Sequence, residues 1–390
     1  MELKANIIKL YLIKVAKWFM LFMPIVVPFY KANGLGMKDV MLLQGVYSVT
    51  IVILEIPSGY FADVLGRKKT IIIGAIMGFL GFLTYSLSFG FWGFLIAETI
   101  LGIGQSFISG SDSALLYDTL LDMKREDEYI KFEGRLTSFG NIAEAVAGTL
   151  GGLLAASSVR YPYIAQTFVA FIAVPASILL VEPSRHKRLL KMRFKDIFGI
   201  VRFSLFEDKA LQRNILFSSV IGTATLTMAW FVQPFFEHVH LSLYWFGLLW
   251  TALNLTVGLV ALIAYRIEAR IGPVKSVVLI AVLVPAGYIS LYFFHSIYAI
   301  SVLFLFYIVR GFATPVLKDY INRMTGSDKR ATVLSVRNFI IRLFFALTGP
   351  FLGWYMDAYS LPQAMLLAGI IFLVLSIFSV FLFTRSLRQK

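Results

Sequence analysis

The stretch Gly59-Tyr-Phe-Ala-Asp63-Val-Leu-Gly66-Arg67-Lys68-Lys69 decides the fold. It places an Asp, an Arg and two Lys in one tight turn between two oily runs, VTIVILEIPS before it and TIIIGAIMGFLGFLTYSLSF after it. A solvated loop has no need of so dense a charge cluster. A hinge between two membrane helices has.

The composition agrees. Of 390 residues 58% are hydrophobic and only 15% charged, against about a quarter charged in a soluble domain. Mean hydropathy is +0.79, and the apolar residues fall in long runs, the pattern of a polytopic membrane protein. The first twenty residues lack a small-residue cleavage site and lead into a spanning run, so no cleaved signal is expected. Cysteine is absent, which excludes disulfides, thiolate metal sites and a Cys nucleophile. No cofactor and no metal is expected. The net charge of +14 lies in short connectors. It points to anionic headgroups of the inner leaflet, not to nucleic acid.

A spanning helix takes roughly 20 apolar residues. The sequence predicts twelve, at 8–31, 38–62, 70–90, 91–121, 135–157, 162–181, 210–236, 243–266, 276–296, 297–324, 333–357 and 361–383. Only short turns separate neighbours near 91 and 297. One set of connectors holds Arg67, Lys68, Lys69, Lys124, Arg125, Lys131, Arg135, Arg266, Arg270, Lys275, Arg323, Lys329 and Arg330; the other holds little beyond Lys31, Lys38 and Arg160. The basic set is expected to face the cytoplasm, with both termini. The longest connector runs from Glu182 to Ala210. It is basic, with apolar residues at helical spacing, and suits an amphipathic helix on the inner leaflet. The expected organisation is a six-helix bundle over 1–183, a linker over 184–209 and a second bundle over 210–390. Asp118 overlies Asp319, and GTLGG (148–152) overlies GPFLG (349–353), at one shift of 201 residues. A shared offset suggests an internal repeat.

Twelve spans, a basic central linker and Gly59-x-x-x-Asp63-x-x-Gly66-Arg67-Lys68 between the second and third spans resemble the major facilitator superfamily. The likeness covers the whole chain in topology, and in residues the turn and a few glycines. It implies an all-α fold of two pseudo-symmetric bundles and a monomer moving a small-molecule substrate by alternating access. It also implies a cytoplasmic latch. Asp63 pairs with a basic residue of span 11, for which Arg337 is the candidate, and Arg67 pairs with Asp118 at the inner end of span 4. The plainer alternative is a positive-inside anchor without a switching role. A worn second copy, YRIEARIGPVKS, keeps Gly272 and Lys275.

A charge at mid-bilayer costs about 2.5–3.5 kcal/mol, so each is a functional candidate. At 1.5 Å per residue, Glu55 lies ~12 Å in from Asp63, Asp112 ~9 Å from Asp118, Glu144 ~14 Å from Arg135, Arg310 ~14 Å from Asp319 and Arg342 ~18 Å from Arg330. These five share a layer in spans 2, 4, 5, 10 and 11. By the resemblance, spans 1, 4, 7 and 10 line the cavity, and spans 2, 5, 8 and 11 wall it. Glu55 and Glu144 are the candidate proton carriers. Arg310 and Arg342 are suited to grip an anionic substrate. Static ion pairs are the alternative. Glu98, in ETILGIG, lies ~30 Å from Asp118, near the outer face. Proton antiporters of the superfamily usually carry Arg there, in Arg-x-x-x-Gly-x-Gly.

Pro24, Pro28 and Pro57 are candidates to kink or end helices. Lys14 and Lys17 are expected to snorkel to the inner interface. Glu237, His238 and His240 read as an exposed loop, with metal binding or pH sensing as the other reading. No Walker-type phosphate loop occurs, and the four His at 186, 238, 240 and 295 fall on connectors or span ends. An enzyme is therefore disfavoured against a transporter. A receptor of the same fold differs only in carrying no flux.

Overall fold

The computed structural model describes residues 2–125, 128–183, 199, 201–325 and 330–387; inside the helices a few side chains, Asp63 among them, also lie outside the described residues. Most of the expected inner-leaflet linker falls there too. The described chain is helical: α1 (Glu2–Trp18), α2 (Val26–Ala32), α3 (Met37–Leu65), α4 (Arg67–Leu87), α5 (Phe91–Ile108), α6 (Ser111–Asp122), α7 (Tyr129–Ser157), α8 (Tyr161–Ile178), α9 (Lys209–His238), α10 (Leu243–Phe293), α11 (Ile300–Arg323), α12 (Arg330–Ala358) and α13 (Leu361–Leu387). No strand occurs among the described residues.

Among the described residues, eleven stretches are long and apolar enough to cross a membrane. The longest, α10, has 51 residues and breaks at Gly272 (φ 78, ψ 167), which restores the expected twelve spans. The two short turns are there as well. Gly90 (φ 101) precedes α5, and a 3-10 turn at Ile297–Ala299 leads into α11.

Spans 1 and 4, predicted as single helices, are each broken. In span 1, α1 stops at Trp18 and a 3-10 turn at Met23–Ile25 precedes α2. Pro24 sits in that turn, where its missing N–H and fixed φ end the α-helical ladder. The Leu21 N–H freed by the break donates to Gln166 Oε1 of α8 (2.9 Å). In span 4, Gly110 (φ 80) separates α5 from α6. Freed backbone groups inside a membrane require such partners. Pro57, by contrast, lies inside an unbroken α3.

The chain divides into two compact units. The first is Met1–Leu35, Leu42–Arg188 and Ser242–Thr251; the second is Gly36–Met41, Leu189–Leu241 and Ala252–Lys390. In the first, Ile7, Leu10 and Ile13 of α1 bury against Leu115, Leu116 and Leu120 of α6. Ala16, Ala75 and Ala173 let α1, α4 and α8 approach closely, the packing expected where lipid removes the hydrophobic drive between helices. In the second, Leu211 and Ile215 of α9 bury with Ile321 of α11 and Val333 of α12. Bulky apolar residues such as Leu262 and Ile377 point outward, as a lipid-facing surface requires.

Candidate functional site

The basic turn is built from the backbone outward. Gly66 (φ 103, ψ 148) precedes α4, in a conformation open to Gly and costly for a residue with Cβ. The first two N–H groups of α4, those of Arg67 and Lys68, donate to Glu182 Oε1 and Oε2 (2.8 Å each). A carboxylate at a helix start answers both the orphan donors and the positive end of the dipole. The Arg67 side chain lies 2.5 Å from Asp118 Oδ2 and donates to the Ala114 carbonyl. The expected Arg67–Asp118 pair is therefore formed, while Glu182 was read only as the start of a linker. An ion pair as open as this adds about 0–1 kcal/mol. It fixes geometry more than stability.

The second half keeps the turn, and its acid pairs differently. Gly272 repeats the positive φ of Gly66. Yet Asp319, the repeat of Asp118, pairs with Arg323 on its own helix (2.6 Å). Its neighbour Tyr320 reaches across to donate to Glu268 (2.8 Å).

Arg337, the candidate partner of Asp63, is buried and donates to Ser218 Oγ and to Asn338 Oδ1 (3.1 Å). The Asp63 side chain lies outside the described residues.

A charged pair joins the last turns of α1 to the first turn of α6, just past the break in span 4. Asp112 stands in the first turn of α6. Lys14 Nζ lies 3.4 Å from its Oδ2, with side-chain exposures of 13% and 9%, and 5.7 Å from the Trp18 ring centroid. The snorkelling expected of Lys14 is thus replaced by a pair with Asp112, because leaving that carboxylate buried alone costs more than holding the lysine inward. Ser113 Oγ donates to Glu133 Oε1 (2.8 Å), and Glu133 Oε2 is buried with no donor among the described residues. Sequence reading missed Glu133, whose position beside the basic residues Lys131 and Arg135 looks like an interface.

Of the other predicted charges, Glu55 on α3 is exposed and Glu144 on α7 half-buried in the first unit. Arg310 on α11 and Arg342 on α12 are half-buried in the second. Asp112 of this layer pairs with Lys14.

A stripe of glycines in α7 seats span 1 at its break. A Cβ on Gly151 would lie 1.9 Å from the Leu21 carbonyl oxygen. Gly152 faces Gly247 of α10, where a Cβ would come within 2.9 Å of backbone. Gly151 and Gly152 belong to GTLGG (148–152), the segment that overlies GPFLG in the repeat.

Glu98 is 5% exposed. Tyr30 Oη of α2 donates to its Oε1 (2.9 Å), and Gln44 Nε2 of α3 donates to the same oxygen. Tyr85 of α4 also hydrogen-bonds the carboxyl.

At the far end of the second unit, Asp357 of α12 receives the Met37 and Lys38 N–H groups of α3 (2.8 and 2.7 Å). His238 faces His295 (3.4 Å between ring nitrogens). No group of three His, Asp or Glu able to hold a metal occurs among the described residues.

The profile of the Major Facilitator Superfamily matches residues 11–343; the chain belongs to that family. Among curated relatives, an uncharacterised transporter of Buchnera aphidicola subsp. Schizaphis graminum is 27% identical over 45% of this chain and 45% of its own length. Multidrug resistance protein 2 of Bacillus subtilis is 24% identical over 42% of this chain and 40% of its own length. The matched segments thus span less than half of these relatives. The crystal structure of a point mutant of the nucleoside transporter NupG superposes with a TM-score of 0.81 at 15% identity, covering 98% of this chain and 99% of that one. At that identity the likeness concerns the fold. Its family and its long apolar helices make the chain a multi-pass membrane protein of the Major Facilitator Superfamily.

Proposed function

We propose that the protein couples proton movement to export of a small amphiphilic or drug-like molecule across the cytoplasmic membrane. In this reading it works as a monomer, with both termini and the basic turns inside against anionic lipid. The observation that carries the reading is the Lys14–Asp112 pair just past the break in span 4. Discontinuous membrane helices are where transporters form their substrate and coupling-ion sites. Glu55 and Glu144 are the further proton carriers. The abundance of Phe (36 residues) and the multidrug-resistance relative support an amphiphilic substrate. A second reading is uptake of a small organic anion gripped by Arg310 and Arg342, favoured by their half-buried positions in the second unit. A receptor without flux is the remote third.

The test uses purified protein in liposomes with a trapped pH dye and an imposed pH gradient, screened with cationic dyes and organic anions. Substrate-triggered proton movement is expected, lost in Glu55→Gln or Glu144→Gln. Flux of substrate without protons would overturn the coupling.

A further inference from the structure

We propose that Glu98 is a proton-binding site whose occupancy decides how firmly the outer half of span 1, α2, is held. Nothing in the transport reading above uses this residue.

The surroundings of Glu98 are neutral, and that is the first argument. Its hydrogen-bond partners among the described residues are Tyr30, Gln44 and Tyr85. A carboxylate inside a membrane ordinarily takes a Lys or Arg, as Asp112 takes Lys14. Removed from water without a counter-charge, a carboxylate carries a large solvation penalty, offset here only by donated hydrogen bonds. Both protonation states then lie within reach of each other.

The second argument is the chemistry of the cage. Tyrosine hydroxyls donate and accept. With Glu98 charged, Tyr30, Gln44 and Tyr85 donate to it. With Glu98 protonated, the new O–H needs an acceptor, and the Tyr30 and Tyr85 hydroxyl oxygens supply one. Those two hydroxyls already lie 2.5 Å apart, so a turn of one passes the bond on. Tyr163, fully buried, has a hydroxyl with no partner among the described residues, and its ring lies 5.1 Å from that of Tyr85. It is a spare donor and acceptor. A cage serving one charge state alone has no use for three such groups.

Size is the third. Tyr30, Phe29 and Phe94 are fully buried. Phe29 stacks on Tyr163 at 3.9 Å, and Tyr85 on Phe94 at 5.4 Å. An organic cation has no room among rings this close. A proton needs none. The Arg160 guanidinium is spent outside the cage: it lies over Phe29 at 5.3 Å and over Phe89 at 4.0 Å and donates to Asn33 Oδ1 (2.7 Å). The described titratable groups around Glu98 are Tyr30 of α2, Tyr85 of α4 and Tyr163 of α8, and α3 contributes the neutral Gln44.

The consequence runs through Tyr30. It belongs to α2, the short helix beyond the break, so a charge on Glu98 pins α2 to α5. Uptake of a proton from water at that end of the membrane removes the charge and weakens the bond; release restores both.

The test is infrared difference spectroscopy of purified protein between about pH 5 and about pH 9. A carboxylic-acid carbonyl band is expected at low pH that fades as pH rises and is missing from Glu98→Gln. Persistence of that band in a folded Glu98→Gln variant overturns the proposal. Tyr30→Phe provides a second reading if Glu98→Gln does not fold. Loss of one donor to the charged form is expected to tighten proton binding about tenfold, and an unchanged midpoint overturns the site. Sodium displacing the band at fixed pH would reassign the cage to a metal cation. As a site of coupling, Glu98 rests on the proton-coupled reading, and the liposome assay separates the two. A titrating band in a protein that moves no protons counts against that reading and leaves the site standing.

Discussion

At the scale of single residues, the basic turn works through its backbone as much as its charges. Glu182 holds the first two N–H groups of α4, a role invisible in a sequence where it opens a charged connector 115 residues after Arg67. Replacing it by Ala is expected to cost about 1 kcal/mol, the worth of a helix cap, measured as a lower melting temperature in detergent. Glu182→Gln keeps an acceptor and is expected to lose about half of that. Equal losses would mean that the charge acting on the helix dipole, not the bond, carries the effect. Arg67–Asp118 was legible because the motif placed Arg67 and the family's latch called for an acid at the inner end of span 4, where Asp118 stands. Lys14–Asp112 was not: a lysine near a span end looks the same in sequence whether it reaches water or turns inward, and only the break at Gly110 brings Asp112 to the head of a helix facing it.

At the scale of elements, twelve spans and their short turns were readable from apolar run length, because a membrane demands a minimum length that a sequence states openly. The breaks in spans 1 and 4 were not. A hydropathy window averages over them, and Pro57 shows that a proline alone does not decide: α3 continues through it, while Pro24 stands at a real interruption. What holds span 1 at its break is Gly151. Gly151→Ala is expected to collide with the Leu21 carbonyl and lower stability by at least about 1–3 kcal/mol. Gly78→Ala in α4 is the matched control. A Cβ there meets nothing within 4 Å, so that variant should melt as high as the wild type or slightly higher. Equal melting of the two would remove the close approach from the account.

At the scale of the whole molecule, the family and its fold were legible because topology, linker and motif agreed. The charge layer was less so, since depth counted along a helix says nothing of the direction a side chain takes. Asp63→Asn is expected to cripple transport while leaving expression near the wild-type level, read as flux per mole of reconstituted protein. Wild-type flux would reduce the turn to an anchor. The two repeats have diverged in substance: Gly66 and Gly272 share a backbone, while Asp118 reaches across to Arg67 and Asp319 turns back on its own helix. One half retains the ion pair and the other only its hinge. The Asp357 carboxylate on the start of α3 carries a consequence in time. The two groups it joins are 320 residues apart. At about 5–20 residues per second of synthesis, the first turn of α3 leaves the ribosome roughly 16–64 s before its cap exists. Over that interval the insertion machinery, or water at the membrane surface, must satisfy those N–H groups, and nascent chains stalled short of residue 357 are the ones in which that end of α3 should exchange its amide protons freely.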